Sequence, residues 1–137
     1  MKLLDKEKAL AFWASIRNLE KDIVYKTRAE LKVAEIEKLM PSGISFTAFS
    51  AFKRRFKEVP ADYSEVYVYA GEEELAELKK RFPPKEGPAN LIVLAKPKNI
   101  EVEKIVSNEQ MFVDLWNLKE WYAKEFLTAL KKKMGLE

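Results

Sequence analysis

Gln110, Asp114 and Asn117 stand at i, i+4 and i+7 of the stretch SNEQMFVDLWNLKEW and so share one helix face. A carboxylate between two amides could seat a polar ligand or a partner's side chain. Asp114 is also the residue around which a carboxylate-based enzyme would be built. No second carboxylate or base is tied to it by spacing. A Gln–Asp pair one turn apart is more often a local side-chain bond of about 0.2–0.5 kcal/mol.

The densest positive charge is Lys53, Arg54, Arg55 and Lys57. It could contact the phosphates of nucleic acid or another anion. Its competing role is to complement the negative end of a helix dipole. Tyr25, Tyr63, Tyr67 and Tyr69 could join those cations as a stacking platform for single strands, or pack as core and rim. Glu72, Glu73 and Glu74 could suggest a metal, but adjacent acids at a helix start complement its positive end.

Several chemistries are not written in the chain. With no His and no Cys there is no imidazole dyad, thiol nucleophile, disulfide or Cys/His zinc site. Only four glycines occur, and none forms a phosphate-cradling loop. Asp62 and Glu65 are followed by Val66-Tyr67 where an Asp…Glu-x-Lys nuclease site needs its lysine. The expectation is a protein that is not an enzyme and holds no metal or cofactor.

The 137 residues, 47% hydrophobic and 34% charged, suit one globular domain. No apolar run approaches the ~20 residues that span a bilayer, and the charged N-terminus does not read as a signal peptide. A cytoplasmic location with no membrane partner is therefore expected. The abundance of Lys and Glu beside a single Gln fits a hyperthermophile's cytosol. Residues 1–58 hold 13 Lys/Arg against 8 Asp/Glu, and residues 59–137 hold 12 against 14. That asymmetry permits an anionic partner on the first half, although charges of mixed sign also describe a solvated surface.

The elements that must position these residues follow from periodicity. Residues 107–133 read as two consecutive amphipathic helices with a break at Asn117–Lys119. Ser107 and Gln110 have capping-box spacing. Met111, Phe112, Leu115 and Trp116 form one apolar face, and Trp121, Tyr122, Phe126, Ala129 and Leu130 the next. Gly135 suits the residue after the last helix. Upstream, Asp5 should cap a helix over Lys6–Asn18 that buries Ala9, Phe12, Trp13 and Ile16, with Leu3 and Leu4 as a hydrophobic staple. Asp22–Tyr25 reads as a short strand. Thr27 and Glu30 suggest a second capping box, with a helix to Met40 that buries Leu31, Ala34 and Leu39 and stops at Pro41. Ile44–Phe56 carries Phe46, Phe49, Phe52 and Phe56 at helical spacing, though Ile44, Phe46 and Ala48 also alternate.

Ser64–Ala70 alternates as a strand, Glu72–Arg81 as a helix that buries Leu75, Leu78 and Phe82, and Asn90–Ala95 as a strand covered on both faces. This unit suits a parallel crossover. Ile100, Val102 and Ile105 suggest one more strand. The fold class is α+β, a small mixed sheet flanked by helices and ending in the two consecutive helices.

Gln110 with FVDLW, then WYAKEF, resembles the C-terminal domain of AbiEi-type regulators, the antitoxin partners of nucleotidyltransferase toxins in type IV toxin–antitoxin systems. PSGISFTAFSAF resembles that family's Gly-then-helix segment, and EVYVYA with NLIVL its two central strands, so the likeness spans about residues 40–130. Residues 1–40 read as helix, short strand and helix, not as the winged helix such regulators usually carry. The resemblance implies a non-catalytic regulatory domain with Gln110 and Asp114 as motif positions. It further implies a nucleotidyltransferase-type toxin as partner, and DNA contact made together with a winged-helix segment. The alternative is a stand-alone nucleic-acid-binding module using Lys53, Arg54, Arg55 and Lys57. A carboxylate- or lysine-based enzyme ranks third.

Overall fold

The computed structural model describes residues 3–97 and 103–136, together with every side chain in those spans except Leu3 and Leu4. The elements, in order, are α1 (Leu3–Ile16), β1 (Ile23–Thr27), α2 (Val33–Lys38), β2 (Ser45–Thr47), α3 (Ala48–Phe56), β3 (Val66–Ala70), α4 (Glu72–Arg81), β4 (Leu91–Ala95), α5 (Asn108–Trp116) and α6 (Ala123–Met134). The strands form one mixed sheet in the order β1-β4-β3-β2.

The parallel pair β3–β4 lies at its centre, joined through α4. The two edges, β1 on β4 and β2 on β3, run antiparallel. Central position explains the composition: every residue of β3, and of β4 up to Leu94, is buried, so neither strand has a solvated face to carry polar side chains.

Register places Thr47, Tyr67 and Ile92 in one row and Ser45, Tyr69 and Leu94 in the next, on one face of the sheet. α3 and α6 close over this face with aromatic rings. Phe49 lies 6.0 Å from Tyr67, 5.2 Å from Tyr122 and 4.9 Å from Phe126, and Phe52 lies 5.7 Å from Phe126. Tyr25, in register with Val93 on the opposite face, donates its hydroxyl to the Phe82 carbonyl at the end of α4 (2.7 Å). Helices therefore cover both faces, as the α+β reading expects.

Several expected elements are displaced. α1 is helical from Leu3, so Asp5 sits in its first turn and does not cap it. Its buried residues are Leu10 and Ala14. Ala9, Phe12, Trp13 and Ile16 are exposed, Phe12 to 68%. The small side chain of Ala14 lets α1 lie close against α5, where the Asn117 amide donates to the Ala14 carbonyl (3.2 Å). The second capping box does not form. Thr27 ends β1, and its hydroxyl donates to the Pro83 carbonyl (3.0 Å) and accepts from the Lys85 amide (2.9 Å). α2 is consequently short and buries Ile36 and Glu37, while Leu31, Ala34 and Leu39 are exposed.

The ambiguity over Ile44–Phe56 resolves into both readings. Phe46 is in strand β2 and Phe49, Phe52 and Phe56 are in helix α3. The joint is Ala48, whose φ of 55° is rare for a residue with a Cβ. The strand expected near Ile105 is a single parallel bridge to Phe46 among the described residues; Ile100 and Val102 lie outside them. That bridge covers the β2 edge. The Phe46 amide donates to the Lys104 carbonyl (2.8 Å) and the Val106 amide to the Phe46 carbonyl (3.0 Å).

The staple expected of Leu3 and Leu4 also lies outside the described side chains. The closing pair of helices forms, but the break runs past Lys119, so that Trp121 and Tyr122 precede α6; Gly135 is in the left-handed region at its end. Met111, Phe112, Leu115, Tyr122, Phe126 and Leu130 are buried, but Trp116 is 43% and Trp121 76% exposed.

Candidate functional site

Ser107 caps α5 by accepting from the Gln110 amide (3.1 Å). The Gln110 side chain does not complete the box. It instead donates to Asp114 Oδ1 (3.0 Å) and to the Tyr69 hydroxyl (3.2 Å). Asp114 points from the buried face of α5 toward the sheet and is 0% exposed. Its Oδ2 accepts from Thr47 Oγ1 at the β2–α3 joint (2.6 Å) and from the Tyr69 hydroxyl on β3 (2.9 Å). Arg17, just past the end of α1, brings Nη2 to 3.7 Å from Oδ1, donates to the Tyr69 hydroxyl (2.9 Å) and pairs with Asp22 (3.1 Å).

Burial pushes the Asp114 carboxyl above its ordinary range, against the opposing effects of the Thr47 bond, the Arg17 charge and the Tyr69 and Gln110 bonds. Burial and then the Asp114 charge raise the Tyr69 phenol. For Arg17, burial acts to lower the pKa, yet the neighbouring Tyr69, Asp114 and Asp22 outweigh it and hold the guanidinium above its usual value.

Gln110 and Asp114 thus share one network. Asn117 does not join it, since its amide donates to the Val113 and Ala14 carbonyls (2.8 and 3.2 Å) and ties α5 to α1. Thr47, Tyr69 and Arg17 were not singled out with Asp114 from the sequence. The sequence placed Asp114 with Gln110 and Asn117, off the apolar face of Met111, Phe112, Leu115 and Trp116, so it gave no sign that distant donors would bury the carboxylate. A cavity of about 340 Å³ opens beside the network at the carboxyl ends of β3 and β4, bordered by Arg17, Asp22, Tyr69, Lys96 and Gln110.

The basic residues divide around α3. Lys53 Nζ pairs with Glu37 Oε1 (3.1 Å). Glu37 is only 6% exposed, and its Oε2 also accepts from Ser50 Oγ and the Tyr63 hydroxyl, both at 2.6 Å. Burial, then Glu37, raises the Tyr63 phenol. The Arg54 guanidinium lies 4.2 Å from the Phe46 ring centre. Arg55 Nη1 donates to Asn108 Oδ1 (2.6 Å), toward α5. Lys57 ends the helix with φ 58°, its amide bonded to the Lys53 carbonyl (2.9 Å).

No four-tyrosine stacking platform forms. Tyr67 and Tyr69 are buried, and all four hydroxyls are engaged, by the Phe82 carbonyl, Glu37, Glu120 and Asp114. Glu74 serves its helix by accepting from the Gly71 amide (3.0 Å).

No family model matches this chain, and comparison with curated proteins and with solved structures finds no match.

Proposed function

We propose that this chain is a non-catalytic regulatory domain, similar in role to the effector half of an AbiEi-type antitoxin, acting through contacts with a protein or nucleic-acid partner. The observation that carries this reading is the condition of Asp114. A general acid or base must reach its substrate's proton directly or through one water. Asp114 is inaccessible, and its oxygens already accept from Thr47, Tyr69 and Gln110. This supports a structural part for the FVDLW motif, which anchors α5 to β2, β3 and the end of α1. The outside of the molecule supports the contact part. Phe12, Trp13, Ile16, Trp116 and Trp121 are exposed, and large aromatic side chains suit protein interfaces.

The implied partner is a nucleotidyltransferase-type toxin, with DNA contact made alongside a winged-helix segment. The test is co-expression with a nucleotidyltransferase encoded beside this chain. Growth should be restored by the unmodified protein and lost on Phe12→Ser with Trp121→Ser, the two most exposed of these rings, at an unchanged melting temperature. Failure to restore growth or to form a complex would overturn the toxin assignment. Phosphoryl-transfer turnover that Asp114→Asn abolishes in a folded protein would establish the enzyme reading instead.

A further inference from the structure

The turn Pro41–Ser42–Gly43 and the outer side of α3 enclose two adjacent cavities, of about 590 and 440 Å³, that share Glu37, Lys38 and Arg54. Lys104 borders only the first, and Lys53 and Lys57 only the second. Five cations therefore line this groove against one acid. That acid, Glu37, is already occupied by Ser50, Tyr63 and Lys53. Lys38, Arg54, Lys57 and Lys104 make no ion pair among the described residues. The Arg54 Nε is buried without a hydrogen-bond partner among the described residues, and its guanidinium carbon lies over the Phe46 ring. A guanidinium engaged with a ring through its charge still carries planar N–H donors that suit an oxyanion.

We infer that this groove binds successive phosphates of a nucleic-acid strand. Lys38 and Arg54 border both cavities, Lys104 the first and Lys57 the second, so the charges are spread along two adjoining cavities and do not gather in one. Charges spread over two cavities suit a phosphodiester backbone; charges gathered in one cavity suit a single small anion. Arg55 is excluded because it turns away to Asn108. Lys38 and Lys104, distant from 53–57 in sequence, are included. Contacts of this kind position a strand without reading its bases. The inference rests on the contact reading above and names the nucleic-acid partner's chemistry.

The test is binding of a labelled single-stranded oligonucleotide and of its duplex, by anisotropy across a salt series. The variant is Lys38→Gln with Lys57→Gln and Lys104→Gln, which removes three charges and no ion pair between described residues. The plot of log affinity against log salt should become shallower by about 2 units on the single strand and about 3 on the duplex. The control, Lys8→Gln with Lys21→Gln and Lys132→Gln, removes equal charge at exposed sites and should leave the slope unchanged. On the unmodified chain, oligonucleotide should shift the backbone amide signals of Ser42, Gly43 and Arg54. That mapping decides the matter even if the triple variant unfolds.

Equal flattening in variant and control, or shifts that avoid the groove, would overturn the inference. So would displacement by pyrophosphate at the oligonucleotide's own affinity, which would make this a small-phosphate site. No oligonucleotide binding at all would sink the groove while leaving toxin neutralisation to be judged on its own.

Discussion

Asp114→Ala would strip the acceptor from Thr47, Tyr69 and Gln110 at once and leave Arg17 with the Tyr69 hydroxyl and Asp22. Loss of one side of a buried charged network costs about 3–5 kcal/mol, and urea denaturation should register that much. The raised carboxyl also sets a sign for pH. The folded state holds the Asp114 proton more tightly than the unfolded chain, whose value is about 3.9. Stability from this group is therefore fully present below the unfolded value and is lost as pH rises through the folded one. Glu65, raised chiefly by burial, acts in the same direction, but it is common to both proteins when the unmodified chain is compared with Asp114→Asn. The stability of the unmodified chain minus that of Asp114→Asn should fall as pH climbs from about 4 upward. A flat difference would mean that the carboxyl titrates as it does in water. The Gln110–Asp114 pairing was legible because it is local, one turn along a helix. Thr47, Tyr69 and Arg17 were not, because they approach from two other elements and from the residues after α1.

Among the elements, α5 and α6 separate buried aromatics from exposed ones. Phe126 is fully buried against Phe49 and Phe52, so Phe126→Ala should cost about 3–5 kcal/mol. Trp116 stacks on Phe112 at 6.0 Å but remains 43% exposed. Trp116→Ala should therefore cost only about 1–2 kcal/mol, since half of its transfer free energy is never realised. Chemical denaturation of the two variants side by side checks the ranking; equal losses would place Trp116 in the core. α1 illustrates why periodicity misleads at a surface. Phe12, Trp13 and Ile16 mark an apolar stripe, but the neighbour that α1 meets is α5, and close approach there selects Leu10 and Ala14. In α2, the cap residue was withdrawn. The Thr27 hydroxyl could not serve both a helix start and the Pro83–Lys85 segment, and the sheet edge took it.

At the scale of the whole molecule, stability should be graded from the centre of the sheet outward. β3 and β4 are buried along almost their whole length and hydrogen-bonded to neighbours on both sides. α1 is anchored by Leu10, Ala14 and a few polar contacts, with its larger apolar residues in solvent. Native-state hydrogen exchange should find the slowest amides in β3 and β4, and α1 opening well below the global unfolding free energy. Protection in α1 equal to that of the central strands would show that the whole chain unfolds as one unit. Among the described residues, no helix is long and apolar enough to cross a membrane.

The sequence by itself determined the features that local physics decides. NLIVLA is a continuous apolar run that marks a strand covered on both faces, EVYVYA alternates as a strand, and Glu72–Arg81 has the length and end charges of the crossover helix between them; that EVYVYA is buried on both faces came from the structure. Ser107 and Gly135 mark the outer limits of the closing helices. Only the tertiary structure decided which side of α1 and of α2 is buried, how the Phe46–Phe56 run divides at Ala48, and which distant donors meet at Asp114. It also redrew the basic cluster, turning Arg55 toward α5 and adding Lys38 and Lys104 to Lys53, Arg54 and Lys57. The physical reason is common to all of these. Side-chain alternation and caps depend on residues within a turn or two, whereas burial of a charge or a ring depends on partners that sequence spacing does not encode.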